Sequence, residues 1–282
     1  MSEPSTQISA NGFSIELPLV PPLLGEITAC GDDINQAGEV IARDAQLATE
    51  VLAVINAPYF QLVRKIASVQ EAGRMLGLTR IFNLTTGRLL KAHVFNSQAK
   101  GIPELWKSSL KIAVLSVLIS KKSGLGASDE VYTTALFHNA GMALLAPVVD
   151  RYWSMVKTGY QLESGQITEF EQEKLGLNHA KLGGDLASLW GLSPNIARVI
   201  ALHHSPEDIN KQLTKHNDTS DMLVVLKVAE YMARLPSYIT RSPENFEWER
   251  VSEACLDYLE LTEGMFKRFE HNIKTQMSEI QL

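Results

Sequence analysis

Residues 131–145 read VYTTALFHNAGMALL, in which Val131, Ala135, His138, Met142 and Leu145 follow one another at steps of 4, 3, 4 and 3. Steps of three and four are the repeat of one helix face, whereas a strand alternates every second residue. The stretch is therefore predicted to be helical, with His138 on its apolar seam and Asn139 beside it. The same pattern continues downstream. A helix opens at Asn178 in NHAKLGGDLASLWGL, where His179 leads Leu182, Leu186 and Leu189 along one face. In IARVIALHH, Val199 and Ile200 stand four residues before His203 and His204, which flank an apolar face just ahead of Ser205-Pro206. In LKVAEYMAR, Glu230 comes four residues after Leu226 and seven after Leu223, at the border of that helix's buried side.

Almost every segment from Leu17 onward carries helical periodicity, and neither strand alternation nor hairpin turn pairs are read from the chain, so the expected fold class is all-α. Ser68 with Glu71 and Thr168 with Glu171 read as capping boxes; Ser193-Pro194, Ser205-Pro206 and Ser242-Pro243 each place a cap before a proline suited to a first helical turn. Polar residues 1–16 are expected to be a flexible tail. The stretch SQAKGIP from Ser97 to Pro103 interrupts the pattern before a long helix expected near Glu104. It is expected to part a helical subdomain at 17–100 from a second at 101–240, with C-terminal helices at 241–282. Those last helices carry Phe246, Trp248, Tyr258, Leu261, Met265 and Phe269, whose expected use is core packing.

Composition narrows the function classes. The chain of 282 residues is 45% hydrophobic and 21% charged, a globular balance that excludes disordered and low-complexity classes. Lys and Arg number 26 against 32 Asp and Glu, a net charge of -6 with no basic block, so neither nucleic acid nor an anionic membrane is expected as partner. Cys30 and Cys255 are far apart and signal no disulfide framework or cysteine metal site. No signal peptide or membrane-length apolar run is read, and a cytoplasmic location is expected.

Four of the seven histidines fall between residues 138 and 204. Taken singly, a histidine on an apolar face reads as a hydrogen-bonded core residue, and Glu230, with Lys227 and Arg234 nearby, reads as half of a surface ion pair. Taken together, imidazoles and a carboxylate on inward faces of different helices suit a divalent transition metal. His93, His216 and His271 lack such company and read as structural or solvated.

The order His138-Asn139, NHAKLGGDLASLWGL, IARVIALHH and LKVAEYMAR resembles the HD superfamily of metal-dependent phosphohydrolases, in the form of HD-GYP and HD-related output (HDOD) domains. LPLVPPL, VIARDAQLATEVLAVINAPYF and SVQEAGRMLGLTRIFNL resemble the leading HDOD region, so the likeness runs from about Leu17 to Leu235. The resemblance implies an HD-like helical bundle preceded by an N-terminal helical subdomain. It also implies where the site departs from catalytic relatives. Ser108 stands at the position of their first histidine, their His-Asp pair reads His138-Asn139, and their late aspartate reads Glu230. No GYP motif follows His203-His204.

A neutral amide supplies poorly the charge that holds hard cations and activates hydroxide in such sites. The expected function is therefore a catalytically inactive HDOD signalling module that binds a protein or small ligand. The alternative is a metal-dependent phosphohydrolase acting on a nucleotide or other phosphoester. No cofactor is expected under the first reading; under the second, one divalent transition metal ion would be held by His138, His179, His203, His204 and Glu230.

Overall fold

The computed structural model describes residues 7–97, 99–162, 166–234 and 245–280. Residues 7–16, expected in the tail, are a correction to the sequence reading. They pair as antiparallel strands β1 (Gln7–Ala10) and β2 (Phe13–Glu16), with Ala10 opposite Phe13. Asn11 and Gly12, at φ 44° and 84°, make the connecting turn. A two-residue hairpin turn of this hand needs positive φ at both positions, which Asn-Gly adopts at least cost; the Asn11-Gly12 pair was the overlooked signal. Burial of Ile15 and Leu17 fastens the hairpin to the body. Residues 1–6 of the expected tail and the Ser242-Pro243 cap lie outside the described residues.

Among the described residues, everything else that is regular is helical, as the periodicity predicts. Helices α1 (Pro22–Ala29), α2 (Ile34–Ala42), α3 (Ala45–Ile55), α4 (Val69–Leu76) and α5 (Leu78–His93) precede residues 97–103. After them come α6 (Ile102–Ser123), α7 (Ser128–Phe137), α8 (Ala140–Leu145), α9 (Tyr152–Tyr160), α10 (Ile167–Leu175) and α11 (His179–Leu189). The series ends with α12 (Pro194–Leu202), α13 (Pro206–Leu213), α14 (Asp218–Ala233), α15 (Phe246–Tyr258) and α16 (Glu263–Ser278). None of the described helices is long and apolar enough to cross a membrane.

Side-chain caps start several helices where expected. Ser68, Asn178 and Ser193 accept from the backbone N–H groups of Glu71, Lys181 and Ile196, which frees those donors from the cost of burial without a partner. Two expected caps form differently. Ser205 precedes α13, but its hydroxyl donates to Asp208. The Thr168–Glu171 box does not form, because α10 begins two residues earlier, after Gln166, and Glu171 turns inward with Ile167 and Leu175.

One contiguous hydrophobic cluster runs from Ile15 in the hairpin to Ile273 in α16. Its spine is α6, buried continuously from Ile112 to Ser120 and packed between α7 and α14. At the C-terminal end, Trp248 of α15 stacks on Tyr231 of α14 at 4.4 Å, and Phe266 of α16 covers both rings.

Two helix contacts that shape the next feature depend on glycine. A Cβ on Gly141 of α8 would stand 2.0 Å from the His179 carbonyl oxygen, and one on Gly184 of α11 would stand 3.0 Å from the Ala197 carbonyl. Only hydrogen at these positions lets α8, α11 and α12 approach so closely.

Candidate functional site

His138 caps the C-terminus of α7, His179 opens α11, His203 caps α12 with His204 next in the chain, and Glu230 projects from α14. The helix crossings bring all five together. Ring centroids are 5.3 Å apart for His138 and His203, 5.6 Å for His179 and His203, 5.0 Å for His179 and His204, and 4.0 Å for His203 and His204. All four rings are buried. Asn139 is buried beside them, and Ser108 is half-buried on α6, outside the hydrogen bonds described next.

Hydrogen bonding fixes the tautomer of every ring. Nδ1 of His138 lies 2.6 Å from the Ala135 carbonyl and Nδ1 of His203 lies 2.6 Å from the Ile200 carbonyl. Nδ1 of His179 meets Glu171 at 2.7 Å, and Nδ1 of His204 meets Glu247 at 2.6 Å. Carbonyls and carboxylates only accept, so each Nδ1 carries the proton and each Nε2 presents a lone pair. Two of those lone pairs are taken. The Asn139 amide donates to Nε2 of His138 at 2.8 Å, and the Tyr160 hydroxyl donates to Nε2 of His204 at 3.1 Å. Nε2 of His179 and Nε2 of His203 are buried and meet no partner among the described residues.

Charge is concentrated on one side of the rings. The Lys227 ammonium donates to the His203 carbonyl at 2.8 Å, pairs with Glu230 at 2.6 Å and pairs closely with Glu247. This corrects the surface-pair reading, since the Lys227 and Glu230 side chains are only 4% and 15% exposed. Burial alone would strip the ammonium of its proton, but Glu230 and Glu247 outweigh that cost and hold its pKa above the ordinary lysine range.

Sequence reasoning missed four members of this network: Glu171, Glu247, Tyr160 and the inward-facing Lys227. Two left a readable signal. Glu171 sits four residues from both Ile167 and Leu175, and Lys227 is embedded in LVVLKVA. Glu247 reaches His204 from 43 residues away and Tyr160 from 44, with no local pattern to announce either.

The donor chemistry allows a metal. His179, His203 and His204 form one group whose ligand atoms lie within 4.8 Å of one another, and His138, His203 and Glu230 form a second. The two unpartnered Nε2 atoms are the available imidazole donors, and the Glu171 bond to His179 is the kind of outer contact that aims a ligating ring. The cavity between α14, α15 and this cluster, lined by Tyr160, His204, Lys227, Glu230 and Trp248 among others, measures about 30 Å³. That is about the room of one water molecule, against the roughly 300–1,000 Å³ of a small-molecule site.

Burial pushes the imidazole of His138 below its usual range and those of His203 and His204 well below it. Below about pH 6.5 the unfolded chain binds protons that these folded rings refuse, so their stability contribution is complete above that pH and is lost as pH falls. Urea unfolding at pH 7.5 and pH 5.5 is expected to show a loss approaching about 1.4 kcal/mol per ring per pH unit. A flat profile would show that the rings are not held neutral.

A family model described as the HDOD domain matches residues 17–206. The chain is similar over its length to solved structures of 16–22% identity. An HDOD domain protein of unknown function from Geobacter sulfurreducens is 22% identical, with 92% of each chain covered and a TM-score of 0.54. A candidate metal-dependent phosphohydrolase from Shewanella amazonensis SB2B is 16% identical, with 93% of each chain covered and a TM-score of 0.58. A candidate signal transduction protein from Marinobacter aquaeolei VT8 is 16% identical, with 93% of this chain and 58% of that one covered and a TM-score of 0.62. At such identities the likeness shows the fold alone. An uncharacterized protein from Treponema pallidum (strain Nichols) is 22% identical over 210 residues, which is 67% of this chain but only 38% of that protein.

Proposed function

Because the chain belongs to the HDOD family, we propose that it acts as a signal-transduction module whose HD-like site does not catalyse hydrolysis and whose output is binding a protein or a small ligand. The observation that carries this reading is the Asn139 amide on Nε2 of His138. A carboxylate there would leave the imidazole lone pair for a metal and add its own charge. The amide instead occupies the lone pair and adds none. The small volume of the cavity beside His204, about 30 Å³, points the same way, since it is far below that of a nucleotide site. Nucleic acid and membrane surfaces are not proposed as partners, in keeping with the net charge of -6.

Where a metal is bound, His179 and His203 would hold it through their free Nε2 atoms, and it would supply Lewis acidity. Glu171 fixes one of those rings, and the Ile200 carbonyl fixes the other. The test combines metal analysis with phosphodiesterase assays on one untagged preparation, using cyclic di-GMP and a generic phosphodiester. No useful turnover is expected with either substrate. Metal-dependent turnover that disappears in His138→Ala would overturn the proposal in favour of a phosphohydrolase.

A further inference from the structure

The Lys227 ammonium donates to two oxygens, Glu247 Oε1 and the His203 carbonyl, and lies 2.6 Å from a third, Glu230 Oε2, as an ion pair. Each carboxylate then turns its second oxygen to an imidazole. Glu230 Oε1 lies 3.6 Å from Nε2 of His138, and Glu247 Oε2 lies 2.6 Å from Nδ1 of His204. A cation shared by two carboxylates, one of them hydrogen-bonded to a histidine, is an arrangement a hard divalent ion also makes with oxygen ligands. Here the cation is covalently tethered to α14.

We infer that the Lys227 ammonium is the resident cation of this carboxylate pair and that it excludes hard, oxygen-preferring divalent ions such as manganese from the site. An ion that took Glu230 would have to share it with Lys227, which offers no lone pair of its own. It would also set two positive centres side by side in a buried, weakly screened place. Expelling the ammonium is no easier, because that would separate it from two buried carboxylates and the His203 carbonyl at once. The free Nε2 atoms of His179 and His203 remain for ions that prefer nitrogen, so Lys227 sets which class of ion the site accepts.

The inference rests on the reading of the site as non-hydrolytic, and its test is a binding measurement that stands apart from turnover. Manganese binding is read calorimetrically on the full chain, wild type against Lys227→Met. The wild type is expected to show no binding at submillimolar concentrations, and the variant to bind at least about tenfold more tightly, with a melting temperature that rises on adding manganese. Equal affinity in the two proteins would overturn the inference. If the variant does not fold, electron paramagnetic resonance of free manganese titrated with wild-type protein decides the matter. An undiminished six-line signal is expected, and a signal quenched at submillimolar protein would sink the inference. Turnover by the wild type would refute the proposed function while leaving the manganese comparison as the judge of Lys227.

Discussion

Replacing Glu171 with alanine is expected to remove about 3–5 kcal/mol of stability. The carboxyl group is fully buried and accepts three hydrogen bonds: one from the Tyr152 hydroxyl at 2.7 Å, and two from His179, through its backbone N–H at 2.8 Å and Nδ1 at 2.7 Å. Alanine would strand all three donors away from water, each at a cost of roughly 1–3 kcal/mol. Glu171→Gln is expected to cost less, because the amide keeps one acceptor but turns N–H bonds toward a remaining donor. Urea unfolding midpoints of the two variants and the wild type give the comparison. A loss below about 1 kcal/mol for the alanine variant would mean that these bonds do not hold the site together.

Asn139→Asp is expected to raise affinity for zinc by at least about tenfold at neutral pH. An aspartate has no N–H to offer Nε2 of His138, so the substitution releases a third imidazole lone pair and adds a negative charge beside it. Adding Ser108→His tests whether the half-buried Ser108 stands where a further imidazole reaches the cluster; if it does, the double variant gains more than the single one. Zinc should gain more than manganese while Lys227 is in place. Binding in either variant should weaken as pH falls through the histidine range, since protons compete for the same lone pairs. Calorimetric titration, with circular dichroism to verify folding, reads both effects. A double variant that folds yet gains no affinity would return the histidines to the role of hydrogen-bonded core residues.

What the sequence made legible was whatever local spacing encodes. The steps of three and four placed His138, His179, His203 and His204 on inward faces, and the structure brings those rings within 6 Å of their neighbours. What it hid was of two kinds. Glu171 and Lys227 have inward phase, but Glu171 also fits a capping box with Thr168 and Lys227 a surface ion pair with Glu230. Tyr152 and His179 make burial of the first tolerable, and Glu230 and Glu247 that of the second. Glu247 and Tyr160 reach His204 across more than forty residues, and such pairings are set by helix packing, which leaves no periodic trace. The hairpin escaped for a third reason. Its strands are four residues each, too short for alternation to stand out, so the Asn11-Gly12 turn was the only local sign.

The Trp190 indole at the end of α11 donates to the Pro18 carbonyl at 3.1 Å, a bond that spans 172 positions of chain. On a ribosome adding about 5–20 residues per second, the first of these groups waits on the order of ten seconds or more before the second has even been made. Throughout that interval the Pro18 carbonyl has no indole to accept from, while α1 already has α2 and then α5 to pack on. The tie between the start of the chain and α11 is thus made after the early helices have met one another, and the order of translation becomes part of how this fold is reached.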